Sequence, residues 1–331
     1  MRGEETIIRY LQDAEAAERN SEDAFAAFSK MGDQTFVQTA LAGMSRKARG
    51  QHERLRLRLQ TLNADSSTAK GALAHALGFA PRLAQMGQSP REKNTQHLMI
   101  TIAAAAAEMA MYEALATAAQ AAADQGTELL ARELQNEERQ DYYDATRLLR
   151  QSAIDSFQHA SASGRAIEVI QCYLEDAVAA EKSFERQLRD FAREGSSNQI
   201  HAMFSQHADE TRRQYERLTE RLKAMGGESS AAKSFIAHLV GLTPKLAQFG
   251  HDVMDRITQN LMIAFAMENS EVAMYEALIA VSESAADRQT AELARTIQAE
   301  ERAMAEKVWE HLPATALSAF DKMAGAEQLT H

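Results

Sequence analysis

The sequence predicts an all-α protein that consists of two four-helix bundles in tandem. Residues that favour helices dominate the chain, which has only 4 Pro, 15 Gly and 6% aromatic residues. A length of 331 residues is enough for two domains of moderate size. The chain also repeats itself at a domain-sized interval, which indicates that the two domains share one architecture.

The repeat relates residue i to residue i+163 along nearly the whole first half, without a gap. The clearest matches are MYEAL at 111–115 and 274–278, EER at 137–139 and 300–302, and GFAPRLAQMG at 78–87 with GLTPKLAQFG at 241–250. A period this long indicates a duplicated domain rather than a solenoid. The predicted division is a first bundle at 1–151, a second at 165–312 and a short C-terminal helix at 313–331. The Ser-rich stretch between the bundles is predicted to be a linker.

Each half is predicted to contain four long helices, A to D, with a shorter helix between B and C. In the first half these are 4–31, 34–62, 69–86 (short), 92–123 and 127–151; in the second, 165–194, 198–225, 231–249 (short), 253–286 and 290–311. The B-to-C connection is long enough to cross the bundle, so helices B and C can run parallel. Ferritin-like bundles have one such long crossover, and we therefore expect a ferritin-like fold with a short extra helix in each B-to-C crossover.

Composition also limits the classes of partner. The net charge of −11 argues against nucleic acid and anionic membranes. The single cysteine, Cys172, excludes an intrachain disulfide and fits a reducing compartment. The N-terminal MRGEETIIRY lacks the apolar run of a signal peptide. The most apolar stretch, 99–123, is largely Ala and carries two glutamates, which disfavours a membrane span. We expect a cytoplasmic protein without nucleic-acid or membrane partners.

Two carboxylates in helix C of the second half are the first sign of a functional site. Glu268 and Glu271 are three residues apart, so they lie on the same side of the helix, one turn apart. Two ionised groups this close repel each other unless a metal ion or a basic side chain lies between them. A solvated acidic stripe would also explain the pair, but the other helices supply matching residues.

The other three helices of the second half each contribute candidate ligands. They are Glu181 in helix A; His207, Glu210 and Gln214 in helix B; and Glu300 and Glu301 in helix D. Carboxylates and an imidazole contributed by four helices are typical of di-iron and di-manganese bundles. Oxygen donors with few imidazoles suit iron or manganese.

Four segments resemble the YciE/YciF family of ferritin-like proteins. They are HADETRRQYERL at 207–218, LEDAVAAEK at 174–182, ENSEVAMY at 268–275 and AEL with EER within 291–302. The resemblance covers the second repeat and, more weakly, the first. It implies a stress-associated ferritin-like bundle with a di-metal site. The implied metal ligands are Glu181, His207, Glu210, Glu268, Glu271 and Glu300. His207 precedes Glu210 by three residues, the reverse of the usual Glu-x-x-His order, so it is either a ligand or a partner that holds Glu210.

The first repeat keeps only part of this set. Glu18, Glu108 and Glu137 match Glu181, Glu271 and Glu300, whereas Met44, Lys47 and Ala105 replace His207, Glu210 and Glu268. We therefore expect the iron or manganese pair in the second repeat only. A buried charge persists only when it is paired, so the Lys47 ammonium is expected to lie among the three remaining carboxylates.

The predicted function is that of a ferritin-like stress protein whose di-metal centre handles metal or reacts with oxygen or peroxide. The alternative is a structural or interaction protein whose metal sites are relics. The two repeats are expected to pack about a pseudo-twofold axis, as the subunits of a homodimer do, and the chain could also form a homo-oligomer.

Overall fold

The structure, a computed structural model, describes residues 2–66, 90–194, 197–227 and 253–325. Within these ranges the chain folds into α-helices and forms no strand. The helices are α1 (Arg2–Phe28), α2 (Thr35–Thr61), α3 (Pro90–Ala121), α4 (Gln125–Ala162), α5 (Ala166–Glu194), α6 (Asn198–Ala224), α7 (Val253–Ser284) and α8 (Arg288–Gly325). Helices α1–α4 form repeat one and α5–α8 form repeat two, which confirms the predicted all-α, two-bundle architecture.

Each bundle combines two antiparallel hairpins. In repeat one α1 packs on α2 and α3 packs on α4, while α1 also contacts α3 and α2 contacts α4. Glu18 and Ser21 of α1 bond Tyr112 and Glu108 of α3 in reverse order, so α1 and α3 are antiparallel. Helices α2 and α3 therefore run parallel, as predicted for a ferritin-like bundle. The crossovers and their two predicted short helices, 69–86 and 231–249, lie outside the described residues.

The start of the last helix in each repeat is fixed by the same three side chains. In repeat two the Asp287 carboxylate accepts a hydrogen bond of 3.1 Å from the Thr290 backbone N–H, as an N-cap residue does. It also accepts two bonds of 2.8 Å from the Arg221 guanidinium of α6. Asp124 and Arg58 make the equivalent pair in repeat one. This contact sets the position of helix D against helix B in both bundles.

The turn between α1 and α2 depends on a glycine. Gly32 has a φ of +80°, in the left-handed region that residues with a Cβ rarely adopt. The Asn94 side chain of α3 covers this turn, and its amide oxygen accepts from the backbone N–H groups of Asp33 and Gln34. A Cβ added at Gly32 would lie 2.1 Å from the nearest amide atom of Asn94.

Replacing this glycine should therefore cost more than backbone strain alone. We expect Gly32→Ala to lower the free energy of unfolding by about 3 kcal/mol, because it combines strain of about 1–2 kcal/mol with displacement of Asn94. Gly226→Ala is the matched control, since Gly226 also has a φ of +80° but no atom within 4 Å of an added Cβ. It should lose only the strain part. Equal losses in urea unfolding would contradict the role given to Asn94.

Helix D is longer in both repeats than predicted. The stretch read as a linker, 151–165, is helical up to Ala162, and only three residues with Gly164 at a φ of +75° separate α4 from α5. The described part of the predicted C-terminal helix, 313–325, is not separate either, because α8 continues through Pro313 to Gly325. A Pro-containing or Ser-rich stretch remains helical when tertiary packing favours it.

These two extensions bind each repeat to the other. Phe320 of α8 is buried in a cluster with Ile7 and Leu11 of α1, and it lies against Gly3. Phe157, its equivalent in α4, is buried in the cluster that contains the core of repeat two. Phe157 and Phe320 are equivalent under the 163-residue offset, so the extended ends of α4 and α8 each bury a phenylalanine at the same position of the repeat.

The repeats pack against each other mainly through their C helices. Helix α3 contacts α7, α4 contacts α7, and α3 contacts α8. Exchanging α3 with α7 and α4 with α8 reproduces the same three contacts, so the two repeats form a pseudo-twofold pair.

Helix α3 is apolar because it lies inside this assembly. The most apolar 18-residue window of its stretch Lys93–Ala121 has a mean hydropathy of 1.4, and among the described residues α3 is the one helix long and apolar enough to cross a membrane. However, 94% of its most apolar window is buried. Its burial is that of a core helix.

Candidate metal centre

Repeat two buries a group of carboxylates and one imidazole at its centre. Its members are at most 1% exposed: Glu181 of α5, His207 of α6, Glu268 and Glu271 of α7, and Glu301 of α8. His207 Nε2 lies 3.4 Å from Glu268 Oε2 and 3.8 Å from Glu301 Oε2. His207, Glu268 and Glu301 each place a candidate ligand atom within 4.8 Å of the others.

Most of the oxygens in this cluster have no hydrogen-bond partner in the described part of the chain. Both oxygens of Glu268 are unpartnered, as is one oxygen each of Glu181, Glu271 and Glu301. His207 Nδ1 also has no partner among these residues. Buried polar atoms are normally satisfied, so this group of unpartnered carboxylate oxygens is suited to bind a cation.

The protonation behaviour of the cluster follows from its burial. Burial raises the pKa of Glu181, Glu268 and Glu271 well above the ordinary value of glutamate. The negative charge of Glu301 is the next cause for Glu181 and Glu268, and that of Glu181 is the next cause for Glu271. Without a cation these carboxyls therefore favour the protonated form, and a cation would reverse that preference.

Two predicted ligands lie away from the buried group. Glu300 is 40% exposed and accepts hydrogen bonds from Arg217 and from Gln214, the latter at 3.0 Å. Its neighbour Glu301 takes the inward position, because consecutive residues point about 100° apart on a helix. Glu210 is 30% exposed at the rim, and its carboxylate lies 3.9 Å from Arg213.

A tyrosine holds one of the inner carboxylates. The Tyr275 hydroxyl of α7 donates a hydrogen bond to Glu181 Oε1, which leaves Glu181 Oε2 free toward the cluster. Burial and then the charge of Glu181 raise the pKa of Tyr275 well above its ordinary value, so the phenol keeps its proton. This bond links α7 to α5.

Repeat one contains a smaller group of the same kind. Glu18, Glu108 and Glu138 are at most 3% exposed and each places an oxygen within 4.8 Å of the others. Tyr112 donates to Glu18 at 2.5 Å, and Gln51 donates to Glu138 at 2.5 Å. Repeat one thus buries three glutamates in this group, the number expected from the sequence, with Glu138 in place of Glu137.

Comparison with known proteins places the chain in a family. The family model described as "Domain of unknown function (DUF892)" matches residues 3–153 and, a second time, residues 167–320. The chain belongs to the DUF892 family. The two matches confirm that the chain is a tandem duplication of one DUF892 domain, a ferritin-like type of domain. No curated protein and no solved structure matches the chain.

The lysine of the first DUF892 repeat does not lie among the three glutamates. The Lys47 ammonium forms an ion pair with Asp141, and its side chain is 34% exposed. Glu137, one of its expected partners, is instead bound by Arg54 at 2.6 Å near the surface. The expected neutralisation of the buried site by Lys47 is therefore wrong, because the flexible lysine reaches the nearer, less deeply buried carboxylate at the rim.

Sequence reasoning named both Glu300 and Glu301 as candidates in helix D but assigned Glu300 to the ligand set, so it did not identify Glu301 and its counterpart Glu138 as the inward residues. The signal was present, because Ala294, Ile297, Glu301 and Val308 follow helical spacing and form the buried face of α8. Asp141 gave no comparable signal, since Met304 stands at its position in the second DUF892 repeat.

Proposed function

We propose that repeat two binds a pair of iron or manganese ions between its four helices, and that the protein handles these ions or uses them toward oxygen or peroxide. The observation that supports this most directly is the group of unpartnered oxygens on Glu181, Glu268, Glu271 and Glu301. Each of the four helices of the bundle supplies at least one member of the set, with His207 from α6.

The donor set fits these metals by its chemistry. Four carboxylates and one imidazole resemble the ligands of carboxylate-bridged di-iron and di-manganese bundles, with one imidazole fewer. Hard oxygen donors with a single nitrogen favour iron and manganese over ions that prefer thiolates. Two divalent ions would offset the charge of four buried carboxylates, which otherwise carry a large desolvation penalty.

The surrounding residues orient the ligands and exclude water. Tyr275 fixes Glu181 by donating to one of its oxygens. Phe184 and Phe204, fully buried, stand one helical turn from Glu181 and His207 and contribute to the apolar core around them. When bound, a pair of redox-active ions supplies electron transfer and Lewis acidity toward oxygen or peroxide.

The resemblance to the YciE/YciF family extends this proposal. It supports an association with the bacterial stress response and a cytoplasmic location, because the resembling segments include Glu181, His207, Glu268 and Glu271. These four residues lie together in the buried group.

The decisive experiment compares neighbouring glutamates. The protein is purified without chelators and reloaded with Mn(II) or, without oxygen, with Fe(II), and its metal content is measured by mass spectrometry. We expect Glu301→Gln to hold two fewer ions per chain than wild type, because this carboxylate faces the site. Glu300→Gln, the control, should retain the full content, since Glu300 bonds Arg217 outside the site. An unchanged content in Glu301→Gln would favour the structural alternative with relic sites.

A further inference from the structure

The two acidic groups of the chain are not copies of each other. In repeat one the mutually close residues are Glu18, Glu108 and Glu138, which correspond to Glu181, Glu271 and Glu301. In repeat two the mutually close residues are His207, Glu268 and Glu301. The two groups share only the helix D position, Glu138 in one repeat and Glu301 in the other.

This overlap divides the site of repeat two into two halves. By correspondence with repeat one, one half would comprise Glu181, Glu271 and Glu301, and the other is the mutually close group His207, Glu268 and Glu301. A carboxylate that belongs to both halves is suited to bridge two ions, as carboxylates commonly do in two-metal sites. Each half has three donor residues, which is enough to hold one ion with water completing its coordination.

Repeat one retains the first half whole and lacks the second. Glu18, Glu108 and Glu138 are all present and buried. Met44 and Ala105, which cannot bind a hard cation, stand where repeat two has His207 and Glu268. The loss therefore removes the two residues that belong only to the second half, rather than scattered ligands from both halves.

The retained half has unpartnered atoms of its own. Glu18 Oε2 and Glu108 Oε2 have no hydrogen-bond partner among the residues that the structure describes, although both side chains are almost fully buried. Their second oxygens are held by Tyr112 and by Ser21, the latter at 2.7 Å. The hydroxyl groups thus fix the two carboxylates while one oxygen of each stays available to a ligand.

A lysine lies at the rim of this site. Lys47 stands at the position of Glu210 and pairs with Asp141, which is 7% exposed. A positive charge thus replaces a carboxylate of repeat two, which disfavours a second cation nearby.

We propose that repeat one binds one divalent cation between Glu18, Glu108 and Glu138, so that the fully loaded chain carries three metal ions. The donors of this site are oxygens alone, so it favours hard ions such as Mn²⁺ and Mg²⁺ over ions that prefer imidazole. The total of three rests on the proposed function of repeat two, whereas the single ion of repeat one does not.

The test counts Mn(II) and records how the ions interact. The full chain, stripped and reloaded with Mn(II), is expected to bind three ions by mass spectrometry. Its electron paramagnetic resonance spectrum should combine the signal of an isolated ion with that of a coupled pair. Glu108→Gln, which keeps the side-chain shape, should lose one ion and the isolated signal. Glu268→Gln should also lose one ion, but it should lose the coupled signal and gain isolated signal.

The outcomes separate this inference from the proposed function. Two ions in wild type with no change in Glu108→Gln, or four ions in wild type, would overturn the single-ion site of repeat one. If Glu108→Gln unfolds, Glu138→Gln replaces it with the same expectation. Loss of an ion in Glu108→Gln with no change in Glu268→Gln would instead contradict the paired site of repeat two and still support the single-ion site of repeat one.

Discussion

Loading the metal-free chain with Mn(II) is expected to raise its melting temperature by about 10 °C. A ligand that binds only the folded state stabilises it by about 4 kcal/mol at a free concentration about 1,000-fold above its dissociation constant. For domains of this size each kcal/mol raises the melting temperature by about 2–4 °C. The increase is large because the ions would neutralise carboxylates that burial has left without partners.

Glu271→Gln should raise the stability of the metal-free protein and reduce the stabilisation that Mn(II) provides. The metal-free variant is expected to be more stable than wild type by about 1–2 kcal/mol, because it lacks a buried carboxyl that other carboxylates repel. After loading it should gain far less than wild type. Calorimetry of both proteins with and without Mn(II) measures both effects.

Glu276→Gln is the matched control on the same helix. Glu276 accepts hydrogen bonds from Arg150 at 2.9 Å and from Gln298 at 3.1 Å, so its carboxylate is already satisfied by the protein. The substitution should lower stability equally with and without metal. If Glu271→Gln behaved in the same way, Glu271 would be a structural carboxylate and not a ligand.

The second large effect concerns His97, a buried histidine that belongs to neither acidic group. His97 of α3 is fully buried, stacks on Phe28 at a centroid distance of 4.3 Å, and has no hydrogen-bond partner for either ring nitrogen among the described residues. Burial, and then the charge of Lys93, lower the pKa of His97 from 6.5 to about 4.

This shift makes stability depend on pH in a defined direction. Between pH 6.5 and 4 the unfolded chain takes up a proton at His97 and the folded chain does not, so folding is increasingly disfavoured as the pH falls. The loss is complete near pH 4 and amounts to about 3 kcal/mol, at about 1.4 kcal/mol per pKa unit. Above pH 6.5 the contribution is fully retained.

His97→Phe isolates this effect from other titrating groups. Phenylalanine can keep the stacking on Phe28 but cannot bind a proton. Urea unfolding of both proteins at pH 7.5, 5.5 and 4.5 should show that wild type loses about 3 kcal/mol relative to the variant across this range. Parallel pH profiles would mean that His97 is protonated in the folded chain at low pH.

The sequence predicted the fold and most of the residues of the buried group in repeat two. Helical composition and the 163-residue repeat predicted two bundles, and the spacing of Glu268 and Glu271 predicted inward carboxylates on helix C. The choice between Glu300 and Glu301 was wrong because adjacent residues differ by about 100° around the helix, and identity alone does not say which faces the core. The apolar spacing of α8 would have settled it.

The packing of the repeats could not be predicted from the same patterns. Helices α3 and α7 are apolar on almost every side, so their sequences have no polar face that would mark an outer surface. Five consecutive alanines, 103–107, are buried in α3. Small side chains allow helices to approach closely, but the identity of the partner helix depends on tertiary contacts. The extended D helices were missed for the same reason.

The C-helix interface between repeats has a consequence for how the sites can differ. In a homodimer built on this interface, a substitution in one subunit would necessarily appear in the other. A single chain carries the two halves of the dyad as separate stretches of sequence, so Lys47 and Glu210 can occupy equivalent places with opposite charges. In a single fused chain the two repeats need not have the same sequence. One repeat can therefore change its ligands while the other keeps its own.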